Sequence, residues 1–328
     1  MSTATRNTLL ITGLLGGLAV LGGVALFRTT TPTKEAISHP AQAAPSASAA
    51  GEDGTPTKPI RIVMSAAFVS ESGVGVYDAI SKYLTRKAGL HVEFITGLAY
   101  STINGMMESG AVDCGFVCGL PYVLLHDRPE PAALLLAAPI MKAPRYQGQP
   151  KYYSDLIVKK DSPYKTLQDL EGATYVYNEE LSNSGYNMPR YRLVQLGLTK
   201  GFFGKVLRSG SHEESIRMVA SGKADASFVD SLVIDYDREK HLGHADEVRV
   251  LESLGPAGIC PLVMSTKLAA PVRDKLQHAI VTMHEDPVGR KILDDALLDR
   301  FMIVDDHNYD DIRAMKEAAE KAGFNVIQ

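Results

Sequence analysis

From Ile60 onward the chain alternates short apolar runs of strand length with amphipathic stretches of helix length, and this alternation constrains the fold more than any other feature. Strands separated in this way need crossover connections, and the connecting helices cover the faces of open α/β sheets. Strand-type runs fall at Ile60 to Ala66, His91 to Thr96, Val112 to Val117, Leu134 to Ala138 and Asp155 to Lys159. More follow at Thr174 to Tyr177, Lys205 to Arg208, Ala226 to Val229, Val248 to Leu251 and Leu262 to Ser265. Between them, Val76, Ile80, Tyr83 and Leu84 recur at helical spacing, Gly197 and Gly222 stand where helices should stop, and Pro271 stands where one should start. Two long apolar runs near 132–140 and 153–159 flank a loop with Pro144, Gly148 and Pro150, and a second crossing runs through Leu254-Gly-Pro-Ala-Gly-Ile-Cys-Pro. The chain should therefore leave one lobe, build another and return. The expected α/β fold has residues 60–145 and 255–328 in the first lobe and 146–254 in the second, with a ligand held between strand ends.

The front of the chain is different. Thr8 to Phe27 is an uncharged run of 20 residues, long enough to cross a bilayer as a helix, whereas the apolar region of a cleaved signal is usually shorter. Residues 1–28 are accordingly expected to anchor the chain in the inner membrane, with a removed signal peptide as the alternative, and the body lies outside the cytoplasm in either case. Residues 29–59, rich in Ala, Ser, Pro and Thr, read as a flexible linker. The net charge of −4 and the absence of any Lys/Arg run exclude a nucleic-acid surface.

One turn stands out within the body. After the aromatic run Tyr175-Val-Tyr-Asn comes Ser182-Asn183-Ser184-Gly185, and a helix should begin near Tyr186. Serines are good helix caps, and free amides at a helix start form an anion site when they converge on a ligand.

Four segments give the chain a resemblance to a known family. They are Tyr100-Ser-Thr with Ser109-Gly-Ala-Val-Asp113, Gly115-Phe-Val-Cys-Gly-Leu-Pro-Tyr-Val123, the 182–186 turn with Pro189, and Gly210-Ser-His-Glu213 with Ser221-Gly-Lys-Ala-Asp-Ala226 and Val229-Asp-Ser231. In this order they resemble the periplasmic substrate-binding proteins of phosphate, phosphite and phosphonate uptake systems. The resemblance implies the two-lobed type II periplasmic binding protein fold with two hinge crossings, a small oxyanion ligand, a membrane ABC permease as partner, and neither catalysis nor a cofactor. It further implies that Ser182, Asn183, Ser184 and the amides around Gly185 hold the oxyanion, and that His212 donates to the same oxygens. Tyr100 and Tyr122 would line the cleft from the first lobe, and Asp230 would close its far side.

Two positions depart from the family pattern. Asn183 stands where the motif has Thr, and Ile259-Cys260-Pro261 stands where aminophosphonate binders have Asn-Asp-Pro. Of the three cysteines, Cys114 and Cys118 lie roughly 13 Å apart along a strand, too far for a disulfide. Cys118 and Cys260 should meet at the cleft wall, as a disulfide, as inert thiols, or as a soft-ligand site. Proteins that resemble this family bind arsenite through a cleft cysteine and report to a membrane histidine kinase, so Cys118 is a candidate arsenite ligand. Ser184, His212 and Asp230 include the residue types of a hydrolase triad, but there is no Gly-x-Ser-x-Gly elbow and no metal-ligand spacing.

Overall fold

The computed structural model describes residues 58–65, 73–96 and 98–328. The anchor expected at 1–28 and nearly all of the linker expected at 29–59 lie outside them. Among the described residues no helix is long and apolar enough to cross a membrane.

The chain begins as expected, with β1 (Ile60–Met64), α1 (Gly75–Ala88), β2 (Val92–Ile95), α2 (Tyr100–Ser109), β3 (Cys114–Phe116), α3 (Gly119–His126) and β4 (Ala133–Met141). It then crosses into β5 (Lys151–Lys159), β6 (Thr174–Tyr177), α4 (Met188–Gln195), β7 (Lys205–Arg208), α5 (His212–Ala220), β8 (Ala226–Asp230), α6 (Ser231–Lys240) and β9 (Val248–Gly258). It returns through β10 (Leu262–Ser265), α7 (Ala270–Val281), α8 (Pro287–Asp295), β11 (Leu298–Met302) and α9 (Asp310–Lys321). One sheet has the strand order β11-β4-β10-β3-β1-β2 and the other β7-β6-β8-β5-β9. In each, a parallel trio (β2-β1-β3 and β7-β6-β8) is extended by antiparallel strands, and the two crossings run from β4 to β5 and from β9 to β10. This is the two-lobed α/β fold with two hinge crossings.

Side-chain alternation explains why the second sheet is covered on both faces. Along β5, Leu156 and Val158 face a cluster with Tyr175 and Phe228, while Ile157 between them faces Val176, Ile216 and Val229. The first sheet buries Ile62, Val63, Phe116 and Leu262 in a larger cluster.

The end of the chain departs from expectation. Residues 255–328 were all assigned to the first lobe, yet Phe324 and Ile327 are buried with Tyr186 and Leu193 of the second, and the Ile327 amide donates to the Tyr186 hydroxyl at 3.2 Å. Meanwhile α9 buries Ile312 against first-lobe residues, and Arg313 reaches Asp127 at the end of α3. The last helix thus bridges both lobes.

The first crossing is fixed by charge. The Arg145 guanidinium grips both oxygens of Asp155, which has no solvent exposure, at 2.9 and 3.0 Å, and also contacts Asp235 at 3.1 Å. Tyr146 donates to the other Asp235 oxygen at 2.6 Å. Removing one partner of such a pair strands the other in a dry environment. Arg145→Met should therefore cost about 3 kcal/mol in urea unfolding, and adding Asp155→Asn should restore part of that loss.

Candidate functional site

The carboxyl ends of the parallel strands face one another across the cleft, and the residues just beyond them form the site. Cys118 follows β3 and precedes α3, Asn178 and Glu179 follow β6, and Asp230 ends β8. The turn at 183–187 is a single π-type turn leading into α4, and all five of its residues are buried.

The sulfur of Cys118 is the focus of this arrangement. It accepts the Asn183 backbone N–H from the opposite lobe at 3.3 Å and lies 3.9 Å from the Tyr152 hydroxyl. Cys260, in the second crossing, is a hydrogen-bonding neighbour of the same sulfur, and its S–H is directed at Asp230 Oδ2, 3.8 Å away. Burial pushes the Cys118 thiol up. Hydrogen bonding with Cys260, with the amides of Asn183 and Leu120 and with the Tyr152 hydroxyl outweighs that effect and brings it from 9.0 down to about 7. Its position at the start of α3 puts it where a helix favours negative charge. The opposite holds for Cys260, whose thiol is driven well up by its hydrogen bonding with Cys118, by burial, and by the proximity of Cys118 and Asp230. All three cysteines are free and buried, so the disulfide alternative is not realised here. Cys114 sits inside β3 with its thiol pushed up by burial, which makes it an inert core residue.

The remaining expected residues divide into two groups. Asn183, Ser184, His212, Asp230 and Tyr100 gather around the cleft. Asn183 donates its side-chain amide to the Tyr152 hydroxyl at 3.0 Å. Asp230 caps α6 through Oδ1, accepting from Leu232 at 2.8 Å, and turns Oδ2 to the Cys260 sulfur at 3.8 Å, so it is both a cap and a member of the site. His212 accepts the Asp230 amide on Nδ1 at 3.3 Å, which leaves the hydrogen on Nε2, 3.4 Å from the Ser184 hydroxyl. Burial depresses the imidazole to about 3, so His212 is a neutral donor. Tyr100 accepts from the Asn178 side chain at 3.4 Å, and burial, followed by the negative charges of Cys118, Cys260 and Asp230, raises its phenol well above the usual range.

The other group lies elsewhere. Tyr122 was expected in the cleft, but it packs edge-on against Tyr309 with ring centroids 4.8 Å apart and donates to Asp306 at 2.6 Å. Tyr122, the fourth residue of α3, falls on the face that meets α9. Ser182 was expected to contact the oxyanion, but its hydroxyl accepts the Gly185 amide at 3.0 Å as an ordinary helix cap. Gly185 is required sterically, because a Cβ there would come within 1.9 Å of Asn178 Oδ1.

A cavity of about 530 Å³, lined by neither Cys118 nor Cys260, is bounded by Met64, Leu98 and Tyr100 from the first lobe and by Glu179, Arg208 and His212 from the second. Glu179 accepts the Tyr100 backbone N–H at the start of α2, and burial raises its carboxyl despite that bond and the nearby Arg208. Arg208 is held by Glu179 at 3.5 Å and Glu180 at 3.4 Å. Tyr152, Asn178, Glu179 and Arg208 were not singled out from sequence. Asn178 and Glu179 directly precede the serine turn, and this adjacency was the available signal.

The fold and cleft define a class, the two-lobed type II periplasmic binding proteins. The chain belongs to the family described as "ABC transporter, phosphonate, periplasmic substrate-binding protein", whose model matches residues 62–309. It is 26% identical over 167 residues to the phosphate-import protein PhnD of Mycolicibacterium smegmatis, covering 48% of this chain and 51% of that one. It is 24% identical over 218 residues to the phosphonates-binding periplasmic protein of Escherichia coli, covering 64% of this chain and 62% of that one. The matches thus span between half and two thirds of these curated relatives. A binding-protein component of an ABC phosphonate transporter from Pseudomonas aeruginosa superposes with a TM-score of 0.72 at 21% identity, covering 81% of this chain and 88% of that one. PhnD1 from Prochlorococcus marinus, solved with methylphosphonate, gives 0.70 at 18% identity, covering 80% and 99%. These likenesses confirm the fold.

The charge on Cys118 can be tested by titration. A thiol whose folded value lies below its ordinary 9.0 binds fewer protons than its unfolded counterpart, so its contribution to stability is complete above pH 9 and is lost as the pH falls through about 7. The stability gap between the native protein and Cys118→Ser should widen as pH rises across that window. Thiolate ultraviolet absorbance should appear near pH 7 and move upward in Cys260→Ala.

Proposed function

We propose that this protein is an extracytoplasmic solute-binding protein that closes on a small oxygen-bearing solute, and that Cys118 selects a thiophilic, uncharged one, arsenous acid. The observation that carries this reading is the Asn183 amide directed at the Cys118 sulfur. The turn that would serve an oxyanion offers that donor to a soft nucleophile, and thiolates select thiophilic species. Charge points the same way. His212 is neutral, Arg208 is engaged by two glutamates, and Glu179, Glu213 and Asp230 are acidic. A phosphonate or phosphate dianion entering this cleft would lose its hydration without meeting a free cation, whereas a neutral hydroxide acid avoids that cost.

A second reading keeps the family's own solute. Tyr100, Ser184, Asn183 and His212 supply directed hydroxyl, amide and imidazole groups, which suit a tetrahedral oxyanion such as phosphonate, phosphite or phosphate. The receiver implied by the family is an ABC permease. A membrane histidine kinase is the alternative receiver, with residues 8–27 as tether. Deleting the protein separates these, because loss of uptake supports the permease and loss of a transcriptional response with uptake intact supports the kinase.

Calorimetry and thermal shift with arsenite, methylphosphonate, phosphite and phosphate test the ligand. Arsenite should bind and raise the melting temperature, and Cys118→Ser should weaken it on the order of 100-fold, about 3 kcal/mol. Binding of a phosphorus oxyanion with an affinity unchanged by Cys118→Ser would establish the second reading instead.

A further inference from the structure

The two cleft thiols come from distant parts of the chain, Cys118 from the end of β3 and Cys260 from the second crossing, yet the antiparallel register that pairs Phe116 with Leu262, continued past the Val117 N–H bond to the Pro261 carbonyl at 3.1 Å, sets them opposite each other. Their surroundings differ in a consistent direction. Cys118 faces the Asn183 amide at 3.3 Å and the Tyr152 hydroxyl at 3.9 Å. Cys260 directs its S–H to Asp230 Oδ2 at 3.8 Å, an acceptor that keeps the proton on the sulfur. A sulfur held as an acceptor beside a protonated thiol is what thiol–disulfide exchange needs, the first to attack and the second to resolve. The third cysteine takes no part, since Cys114 is enclosed within β3. Proteins outside the cytoplasm also meet oxidising small molecules.

We propose that Cys118 and Cys260 are a modification site, a reversible disulfide that a low-molecular-weight disulfide installs when the lobes are apart and that withdraws the thiols from the solute. The Cys118 thiolate attacks one sulfur of the small disulfide. The old S–S bond breaks, a mixed disulfide forms on Cys118, and one small thiolate leaves. Cys260 then attacks Sγ of Cys118, the mixed disulfide breaks, and the second small thiolate departs with the Cys260 proton. Two electrons pass from the cysteine pair to the small disulfide, which ends as one thiolate and one thiol. Both cysteines have no solvent exposure in the closed form, so the exchange requires opening, and a solute that holds the lobes shut protects the pair. The exchange itself depends only on the cysteine pair, and its effect on solute binding rests on the proposed function.

The test uses the full chain carrying Cys114→Ala, incubated with oxidised glutathione and read by intact mass and peptide mapping. The expected product has lost two hydrogens, joins the peptides containing residues 118 and 260, no longer binds arsenite, and regains both thiols and binding with dithiothreitol. Adding Cys260→Ala should stop the reaction at the mixed disulfide, with one glutathione retained at Cys118. The proposal is overturned if the chain with both cysteines keeps glutathione on Cys118 without joining Cys260. It is equally overturned if both thiols stay free while those of the urea-unfolded chain react. Joined peptides in a protein whose reduced form does not bind arsenite would support the disulfide while removing the proposed solute.

Discussion

The closed cleft depends on one contact between lobes, the Asn183 amide donated to the Cys118 sulfur. Both residues are fully buried, and an amide shut away without an acceptor costs about 1–3 kcal/mol. The turn at 183–187 can therefore be enclosed only when the first lobe brings an acceptor to it. The same lobe makes two further exchanges, with Tyr100 accepting from Asn178 through its hydroxyl and donating its backbone N–H to Glu179. Closure and site chemistry thus use one set of groups. The bond that satisfies the turn also stabilises negative charge on the thiol.

Much of the fold could be read from the sequence because its signals are local. All ten expected strands are present, with shifted ends, since apolar runs between turn residues carry their own periodicity. The eleventh, Leu298–Met302, has the sequence Leu-Asp-Arg-Phe-Met, and charged residues interrupt its alternation. It is an edge strand fixed by pairing with β4, which the local sequence does not reveal. The C-terminal segment was misplaced for a similar reason. Phe324 and Ile327 show that an apolar group must be covered, but not which lobe covers it.

The site was legible to a lesser degree, and its errors follow one rule. Residue type predicted what a group can do, whereas partner geometry decided whether the group was free to do it. Ser182 has the hydroxyl an oxyanion needs, but the nearest unsatisfied donor is the Gly185 amide three residues on, and a local bond forms readily. Tyr122 has the phenol a cleft needs, but one helical face carries it to Tyr309 and Asp306. Asp230 was expected as a cleft acid and caps α6 as well, because a carboxylate has two oxygens and each found a partner. Tyr152 was missed because a tyrosine on a strand is usually core, and only the hinge brings its hydroxyl beside Cys118.

Cys118 matters because one atom joins charge, closure and reactivity. A hard oxyanion site would neutralise its ligand with fixed cations, but here the donors are neutral and the acids nearby are raised by burial. Such surroundings tolerate at most one negative charge, and the sulfur, accepting the Asn183 amide with the Tyr152 hydroxyl 3.9 Å away, is the group best placed to hold it. A solute that takes up that charge by bonding to sulfur leaves the cleft without it, whereas one that brings its own charge adds a second. Oxidation of the pair removes the same charge without any solute. The state of one sulfur would then set both what the cleft accepts and whether it accepts anything, with the hinge controlling access to each.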